Sequence, residues 1–456
     1  MKKMFSLVFV LIICISFSLT AFAAGFTPPF EITAASAYMV NLDTGLVLYE
    51  KNPDEKRSVA SLTKLMTSLL FMEAVPPEAM DSTIIYADPG LYVYPVVGGG
   101  GSTADIRPYE QVTARSLLYA MLLPSGNEAA AIAAFHVGNG NLENFYAMMN
   151  ARAAQLGCKN TNFTNPHGLE GMEKNNYSTA RDLFLIAQQC WTHELFKAVV
   201  GSNSYEMPFT NKHQTAEFAS KPNSAYTIYT TNLMQSSKTA GIHRDYIKGI
   251  KTGSTENAGR NFISTATENG MTYLNVVLGC PWDPPEDGYA YSFHDTANLC
   301  DWAFKNFEVR PALDPLSAIN EIKVKYSRET DILRLFPAEE MKTILPKESD
   351  ETVLQKKYML PKSVNAPIKQ GDIIGKVTLS LAGEVIGTVD LLAGEDVHRN
   401  TVLFIISKTT DFLKSTYFRV VMVVSVITLL GYVSVAVVQH NRHKKTKPAF
   451  DNKNRK

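Results

Sequence analysis

The chain has 456 residues, and its 44 Lys and Arg balance 44 Asp and Glu to a formal net charge of zero. That length holds two or three folded units at roughly 100–200 residues each, which excludes a single small module. With 45 % hydrophobic, 19 % charged and 10 % aromatic residues, the chain is neither disordered nor fibrous, and no basic excess points to nucleic acid.

In chain order, Lys2 and Lys3 precede an apolar run over 4–19 and then Ala21-Phe22-Ala23. Charge, apolar stretch and small residues in that order predict a secretory signal peptide over residues 1–23. Strand-like runs at 38–41 and 46–49 flank the hairpin turn Asp43-Thr44-Gly45. Helical periodicity follows over 62–74, 114–123, 128–137 and 142–156. Strands return at 261–267 and 271–278, joined by the turn Glu268-Asn269-Gly270. Strands first, helices between and strands last predict an α+β domain over 24–308, with both of its ends in one sheet. After Arg310-Pro311, short alternating runs at 319–326, 372–381 and 385–392 predict a small all-β domain over 309–398.

A connector over 399–419 leads into 420–438, which carries no charge and just reaches the roughly 20 residues that a bilayer core requires. The tail over 439–456 holds seven basic residues against Asp451. By the positive-inside rule that tail stays in the cytoplasm, and the chain is a single-pass membrane protein with everything before the helix outside. Of five cysteines, Cys14 leaves with the signal peptide. Four more, Cys158, Cys190, Cys280 and Cys300, are too few for a disulfide framework in this length. The residues leave packed thiols and bridges both open. Nine scattered histidines without His-Glu-x-x-His give a zinc peptidase no support, and neither a metal nor an organic cofactor is expected. The glycine run 98–101 lacks the Gly-Lys-Ser/Thr of a phosphate loop and reads as a flexible loop.

Three short motifs carry chemistry. Ser61-Leu62-Thr63-Lys64 opens an apolar helical run; a spacing of three puts the hydroxyl and the amine on one helix face, a turn apart. Alone it reads equally as an N-cap serine and a surface lysine. Ser125-Gly126-Asn127 by itself is a turn, and Lys251-Thr252-Gly253 by itself is a strand edge. As a set in this order, Ser-x-x-Lys, Ser-x-Asn and Lys-Thr-Gly mark penicillin-binding proteins and serine β-lactamases.

From Ala34 to about Leu278 the sequence resembles the serine-type D-Ala-D-Ala carboxypeptidases, the low-molecular-mass penicillin-binding proteins. Asn41-Leu42-Asp43-Thr44-Gly45, Asn165-Pro166-His167-Gly168-Leu169, Ser178-Thr179-Ala180-Arg181-Asp182 and Gly249-Ile250-Lys251-Thr252-Gly253 extend the likeness. Pro367-Ile368-Lys369-Gln370-Gly371 is similar to text in that family's C-terminal sandwich. Gly126 stands where β-lactamases usually carry an acid. The resemblance implies a β-lactamase/transpeptidase-like α+β catalytic domain, an antiparallel sheet with a helical subdomain, then a β-sandwich and one transmembrane helix.

The resemblance also implies roles. Serine is a weak nucleophile without an adjacent base, so Ser61 would attack with Lys64 as general base, its amine kept deprotonated by burial and by Lys251. Ser125 would relay a proton and Asn127 hold the substrate amide. Lys251 and Thr252 would bind the terminal carboxylate. Gly253 would let the backbone approach, with the oxyanion between the N–H groups of Ser61 and Ser254. Peptidoglycan stem peptides are the implied substrates and β-lactams the implied inhibitors. A class A β-lactamase is the first rival, and it lacks its deacylating Glu-x-x-Leu-Asn, which neither Glu170 nor Glu173 supplies. A D,D-endopeptidase and a non-turnover β-lactam sensor are the others.

Overall fold

The computed structural model describes residues 26–92, 96, 101–170, 175–213, 226–349, 353–381 and 383–445. The signal peptide, most of the glycine run, Glu173 and the last part of the basic tail lie outside the described residues. The described residues fall into two compact units. One comprises the chain up to Ala312 with Lys342–Gln355 and Ser380–Ile386; the other comprises Leu313–Met341, Lys356–Leu379 and the chain from Gly387.

The first unit is built on a five-stranded antiparallel sheet of β1 (Ser36–Asn41), β2 (Val47–Lys51), β3 (Ile247–Thr255), β4 (Gly259–Glu268) and β5 (Met271–Cys280), in the order β2-β1-β5-β4-β3. The first strand pairs with the last, Ser36 opposite Leu278 and Asn41 opposite Tyr273, so both ends of the unit share one sheet, as the element order predicts. All six residues of β1 are buried, which requires cover on both faces. Alternate side chains serve the two sides. Tyr38 and Val40 join one hydrophobic cluster, with residues of α1 (Lys64–Ala74), α2 (Ala114–Leu122), α3 (Asn127–Val137), α4 (Leu142–Gln155), α5 (Ala180–Trp191) and α6 (Glu194–Val200). Ala37 and Met39 join the other, with Phe293, Trp302 and Phe304 of α7 (Tyr291–Asn306).

Local chemistry sets the joints. The β1–β2 turn closes because Asn41 Oδ1 accepts from the backbone N–H of Asp43 at 3.1 Å and of Thr44 at 2.9 Å, an Asx turn. Gly45 takes the positive φ of 72° that ends it. The buried Asp295 of α7 accepts from the N–H of Thr33 at 3.1 Å and of Ala34 at 2.7 Å, fixing the start of β1. Helix α1 buries nine of its eleven residues, as a helix apolar on nearly all sides must. Truncating its fully buried Leu65 or Leu69 to alanine costs about 2–5 kcal/mol.

Further strands follow: β6 (Phe307–Leu313), β7 (Asn320–Lys325), β8 (Ile332–Pro337), β9 (Met341–Pro346), β10 (Leu354–Met359), β11 (Val364–Asn365), β12 (Ile373–Leu381) and β13 (Glu384–Ala393). Six of them form a sheet in the order β10-β12-β13-β8-β7-β11, and β6 pairs with β9. In β7 the alternate residues Ile322 and Val324 are buried, the period-2 pattern that the sequence shows there. The segment over 399–419 is largely helical. Helix α8 (Thr401–Lys414) starts on an Asn400 cap, whose Oδ1 accepts from Leu403 N–H at 3.0 Å, and buries no residue. The Ser415 hydroxyl, accepting from Phe418 N–H at 3.1 Å, opens α9 (Thr416–Lys445). Within α9, Thr416–Arg442 is long and apolar enough to cross a membrane. The four described cysteines are free thiols.

Candidate active site

Ser61 does not lie in α1. It sits in the 3-10 turn Ala60–Thr63 that leads into it, and Lys64 is the first α-helical residue. A 3-10 turn has 3.0 residues per turn, so positions i and i+3 eclipse, and a spacing of three aligns the pair better there than an α-helix would. Lys64 Nζ is 2.8 Å from Ser61 Oγ. It also donates to Asn127 Oδ1 at 2.8 Å and to the His167 carbonyl at 3.0 Å. One hydroxyl and two carbonyl oxygens surround this fully buried amine, and no carboxylate is among its hydrogen-bond partners. Burial, reinforced by the Lys251 charge, holds its pKa well below that of an ordinary lysine, with Glu128 opposing.

Two close approaches build the turn. Gly168, at φ +84°, packs on the Ala60 carbonyl and on Thr63, where a Cβ has no room. Asn165 Oδ1 accepts from Gly168 N–H at 2.7 Å, and Thr67 Oγ1 donates to the Pro166 carbonyl at 2.6 Å. The loop 165–169 is thereby pinned to α1 and presents the His167 carbonyl to Lys64. His167 is itself buried and accepts from Leu169 N–H through Nδ1 at 3.1 Å; burial, with the Lys64 charge, pushes its pKa down to about 3. The second approach is from β3, the edge strand. A Cβ on Gly253 would stand 2.9 Å from the Val59 carbonyl and 3.1 Å from Leu62 N, so only glycine lets the strand lie this close to the Ser61 turn.

Ser125, at φ +65°, turns the chain into α3, whose first residue is Asn127. A Cβ on Gly126 would meet the Ala120 carbonyl at 2.9 Å and Ala104 Cβ at 3.1 Å, which gives a steric reason for the missing acid between Ser125 and Asn127. The Ser125 hydroxyl is buried and has no hydrogen-bond partner among the described residues. Lys251, 1 % exposed, donates to the Thr252 carbonyl at 2.9 Å, and burial pushes its pKa down to about 7. Thr252 Oγ1 shares a hydrogen bond with Thr231 Oγ1 at 2.6 Å.

A cleft of about 350 Å³ is lined by Ser61, Ser125, Thr252, Gly253 and Ser254, while Lys64, Asn127 and Lys251 stand buried around it. All eight candidate residues therefore converge on one region of the first unit. Among the described residues no group of three His, Cys, Asp or Glu side chains gathers to hold a metal.

With this geometry in view, the comparisons decide the family. The family described as D-alanyl-D-alanine carboxypeptidase matches residues 23–281, more than half of the chain. The chain belongs to this family. The C-terminal domain of penicillin-binding protein 5 matches residues 307–399. Bacillus subtilis D-alanyl-D-alanine carboxypeptidase DacF is 28 % identical over 90 % of this chain and 98 % of its own. The carboxypeptidase of Streptomyces sp. strain K15 is 32 % identical over 60 % of this chain and 91 % of its own. Among solved structures, penicillin binding protein 5 from Haemophilus influenzae is similar at TM-score 0.59 and 28 % identity, covering 82 % of this chain and all of that one. The chain is accordingly a serine-type carboxypeptidase of the penicillin-binding class, with an α+β fold and an all-β domain.

Three contributors escape the motif reading. Glu128, fully buried, accepts from Thr103 Oγ1 at 2.7 Å and from Ala104 N–H at 2.6 Å, holding that segment against α3. Thr231 pairs with Thr252, and the His167 carbonyl receives Lys64. Glu128 left a trace in the sequence as an acid in the first turn of a helix, which the helix dipole already explains, and His167 stands in the Asn165–Leu169 stretch that carries the resemblance, whereas Thr231 left none.

Proposed function

We propose that the chain removes the C-terminal D-alanine from peptidoglycan stem peptides ending in D-Ala-D-Ala, through an acyl-enzyme on Ser61. The observation that carries this is the Lys64 amine, buried, 2.8 Å from the Ser61 hydroxyl, which can donate to it, and donating its own N–H groups to Asn127 Oδ1 and the His167 carbonyl. In its neutral form Lys64 takes the hydroxyl proton as Oγ attacks the carbonyl of the penultimate residue. Negative charge then develops on the carbonyl oxygen, opposite the N–H groups of Ser61 and Ser254. The unpartnered Ser125 hydroxyl passes a proton from Lys64 to the leaving nitrogen. Asn127 orients Lys64 through Oδ1 and keeps its amide N–H₂ for the substrate, and Thr252 and Lys251 face the terminal carboxylate. Water, activated by Lys64, then releases the shortened peptide. A β-lactam opens on the same serine and stays.

The reading places a catalytic domain over 24–308, a β domain over 309–398 and the apolar helix in the membrane, with the catalytic domain on the extracytoplasmic side. Mass spectrometry of the chain with a pentapeptide ending in D-Ala-D-Ala tests the reaction: one D-alanine is released, and penicillin leaves a stable adduct on Ser61. Release of D-alanine by Ser61→Ala at the rate of the unaltered chain overturns the assignment.

A further inference from the structure

Ser102 lines the cleft, and the chain that leaves it runs on to a face of the first unit that the mechanism does not use. There Ile84–Tyr86 pairs antiparallel with Gln111–Thr113, Tyr86 opposite Gln111. Alternate side chains of a strand serve opposite faces, so Ile85 and Val112 are buried while Ile84, Tyr86 and Gln111 meet solvent. Tyr109 stands beside them: the two tyrosine ring centroids are 6.2 Å apart, the planes tilted by 59°. Ile84, Tyr86 and Tyr109 are 56 %, 48 % and 51 % exposed, and large apolar side chains exposed as a group mark a binding surface. The Lys212 ammonium stands 5.6 Å from the Tyr109 ring centroid. Side chains behind the face tie it to the cleft wall. Asn211 donates to the Tyr109 carbonyl at 2.9 Å and accepts from Gln111 N–H at 2.8 Å. Glu110, fully buried, accepts from Arg107 N–H at 2.7 Å and from Thr210 Oγ1 at 2.6 Å, and Glu128 holds Thr103 and Ala104. Tyr109 follows Ser102 by seven positions, which puts it no more than about 25 Å away. The turn closed by Glu110 N–H on the Arg107 carbonyl at 3.1 Å shortens that span.

We propose that this face binds the saccharide to which the stem peptide is attached, as a subsite outside the cleft. This rests on the reading of Ser61 as the serine that attacks such a peptide. A cleft of about 350 Å³ is at the small end of ligand sites and takes the terminal residues only. When the penultimate residue of a pentapeptide is attacked, four residues separate its carbonyl from the sugar, a reach of about 14 Å. The sugar therefore falls outside the cleft, on the distance scale of the two tyrosines. The chemistry of the face suits a pyranose. Its ring C–H groups carry slight positive charge and pack on the negative face of an aromatic ring. Its hydroxyl and acetamido groups find partners in the Gln111 amide and the Lys212 ammonium. A stable protein partner covers about 20–30 residues a side, far more than Ile84, Tyr86, Tyr109, Gln111 and Lys212 supply, whereas a disaccharide matches them in size.

The test uses two substrates on one preparation of the full-length chain in a detergent without sugar groups. One is a pentapeptide ending in D-Ala-D-Ala; the other is the same pentapeptide joined to an N-acetylated disaccharide. The unaltered chain prefers the disaccharide form in kcat/KM. In the double variant Tyr86→Ala, Tyr109→Ala that preference falls about 5–20-fold, the worth of two aromatic contacts, through KM, while the bare pentapeptide is cleaved as before. Tyr86→Phe with Tyr109→Phe keeps it, since the ring faces and not the hydroxyls make the contact. Peptide-free glycan strands, co-sedimented with the chain after penicillin has acylated Ser61, bind the unaltered chain and not the alanine variant. An unchanged ratio, an equal loss on both substrates, or glycan binding that penicillin abolishes overturns the proposal. So does an oligomer of the unaltered chain that the alanine variant dissociates without loss of glycan binding, since the face is then a contact between copies. A chain that takes up no penicillin on Ser61 and releases no D-alanine defeats the functional reading instead, while the glycan strands, which need no turnover, still judge the face.

Discussion

Lys64 and Lys251 are 0 % and 1 % exposed, whereas Val420, Ile427, Leu429 and Tyr432 of α9 are 55 %, 63 %, 62 % and 73 % exposed. In the first unit, charged groups are taken out of water at a cost of several kcal/mol each unless they are partnered. In the last helix, apolar groups stand where water would be, which suits a helix only in an apolar solvent. Neither arrangement stabilises a water-soluble globule. On the proposed reading, both mark where the chain gives up stability for work: proton transfer beside Ser61, and attachment to a membrane. The remainder, from the buried strand β1 to the alternating β7, follows ordinary burial.

The comparison breaks most sharply at Lys64. A guanidinium cannot give up a proton near neutral pH, so Lys64→Arg lowers the rate of penicillin acylation about 10²–10⁴-fold, the usual worth of general base catalysis, as read by the mass of the Ser61 adduct against time. In the unaltered chain the same rate falls as pH drops through the lowered Lys64 pKa, because only the neutral amine is a base. At the other end, a chain stopped after Asn400 lacks every residue of α8 and α9. It moves from the membrane pellet to the soluble fraction, with penicillin acylation within about twofold of the full-length protein, since no residue of α8 is buried and none of the eight candidate site residues lies in α8 or α9.

The smallest effect concerns stability. Lys251 has a folded pKa of about 7 against about 10.4 unfolded. The native state therefore binds fewer protons than the unfolded chain between these values. The cost of burying the amine is full below pH 7 and fades as pH rises toward 10.4. Lys251→Met thus raises the melting temperature by roughly 5 °C at pH 6 and by little at pH 10, while activity falls at both. A shift that grows with pH would break the account.

How much of this could be read in the sequence depended on how local the cause was. The helices over 114–122 and 142–155 and the hairpin at 268–271 follow from periodicity and turn residues within a dozen positions. Ser61, Ser125 and Lys251 carry a recognisable neighbour pattern each. Gly126 and Gly253 are visible as letters, but the reason for them lies in Ala104, Ala120 and Val59, brought up by the fold. The third ligand of Lys64 is a backbone carbonyl, which every residue possesses, so no sequence signal distinguishes His167 for it. Thr231 reaches the cleft by loop packing against Thr252, 21 positions along the chain. The strands at 332–337 and 354–359 escaped notice because the exposed Arg334 interrupts the first and the exposed run Gln355-Lys356-Lys357 breaks any alternation in the second.

The thiols carry a consequence of their own. Cys190, Cys280 and Cys300 are buried and Cys158 is half-buried, and burial raises all four pKa values, that of Cys158 to about 12. The thiolate is the species that attacks disulfides and oxidants, and none of the four supplies it at neutral pH. In the folded state these four thiols are therefore poor nucleophiles toward disulfides and oxidants, and the fold is held without a cross-link between them.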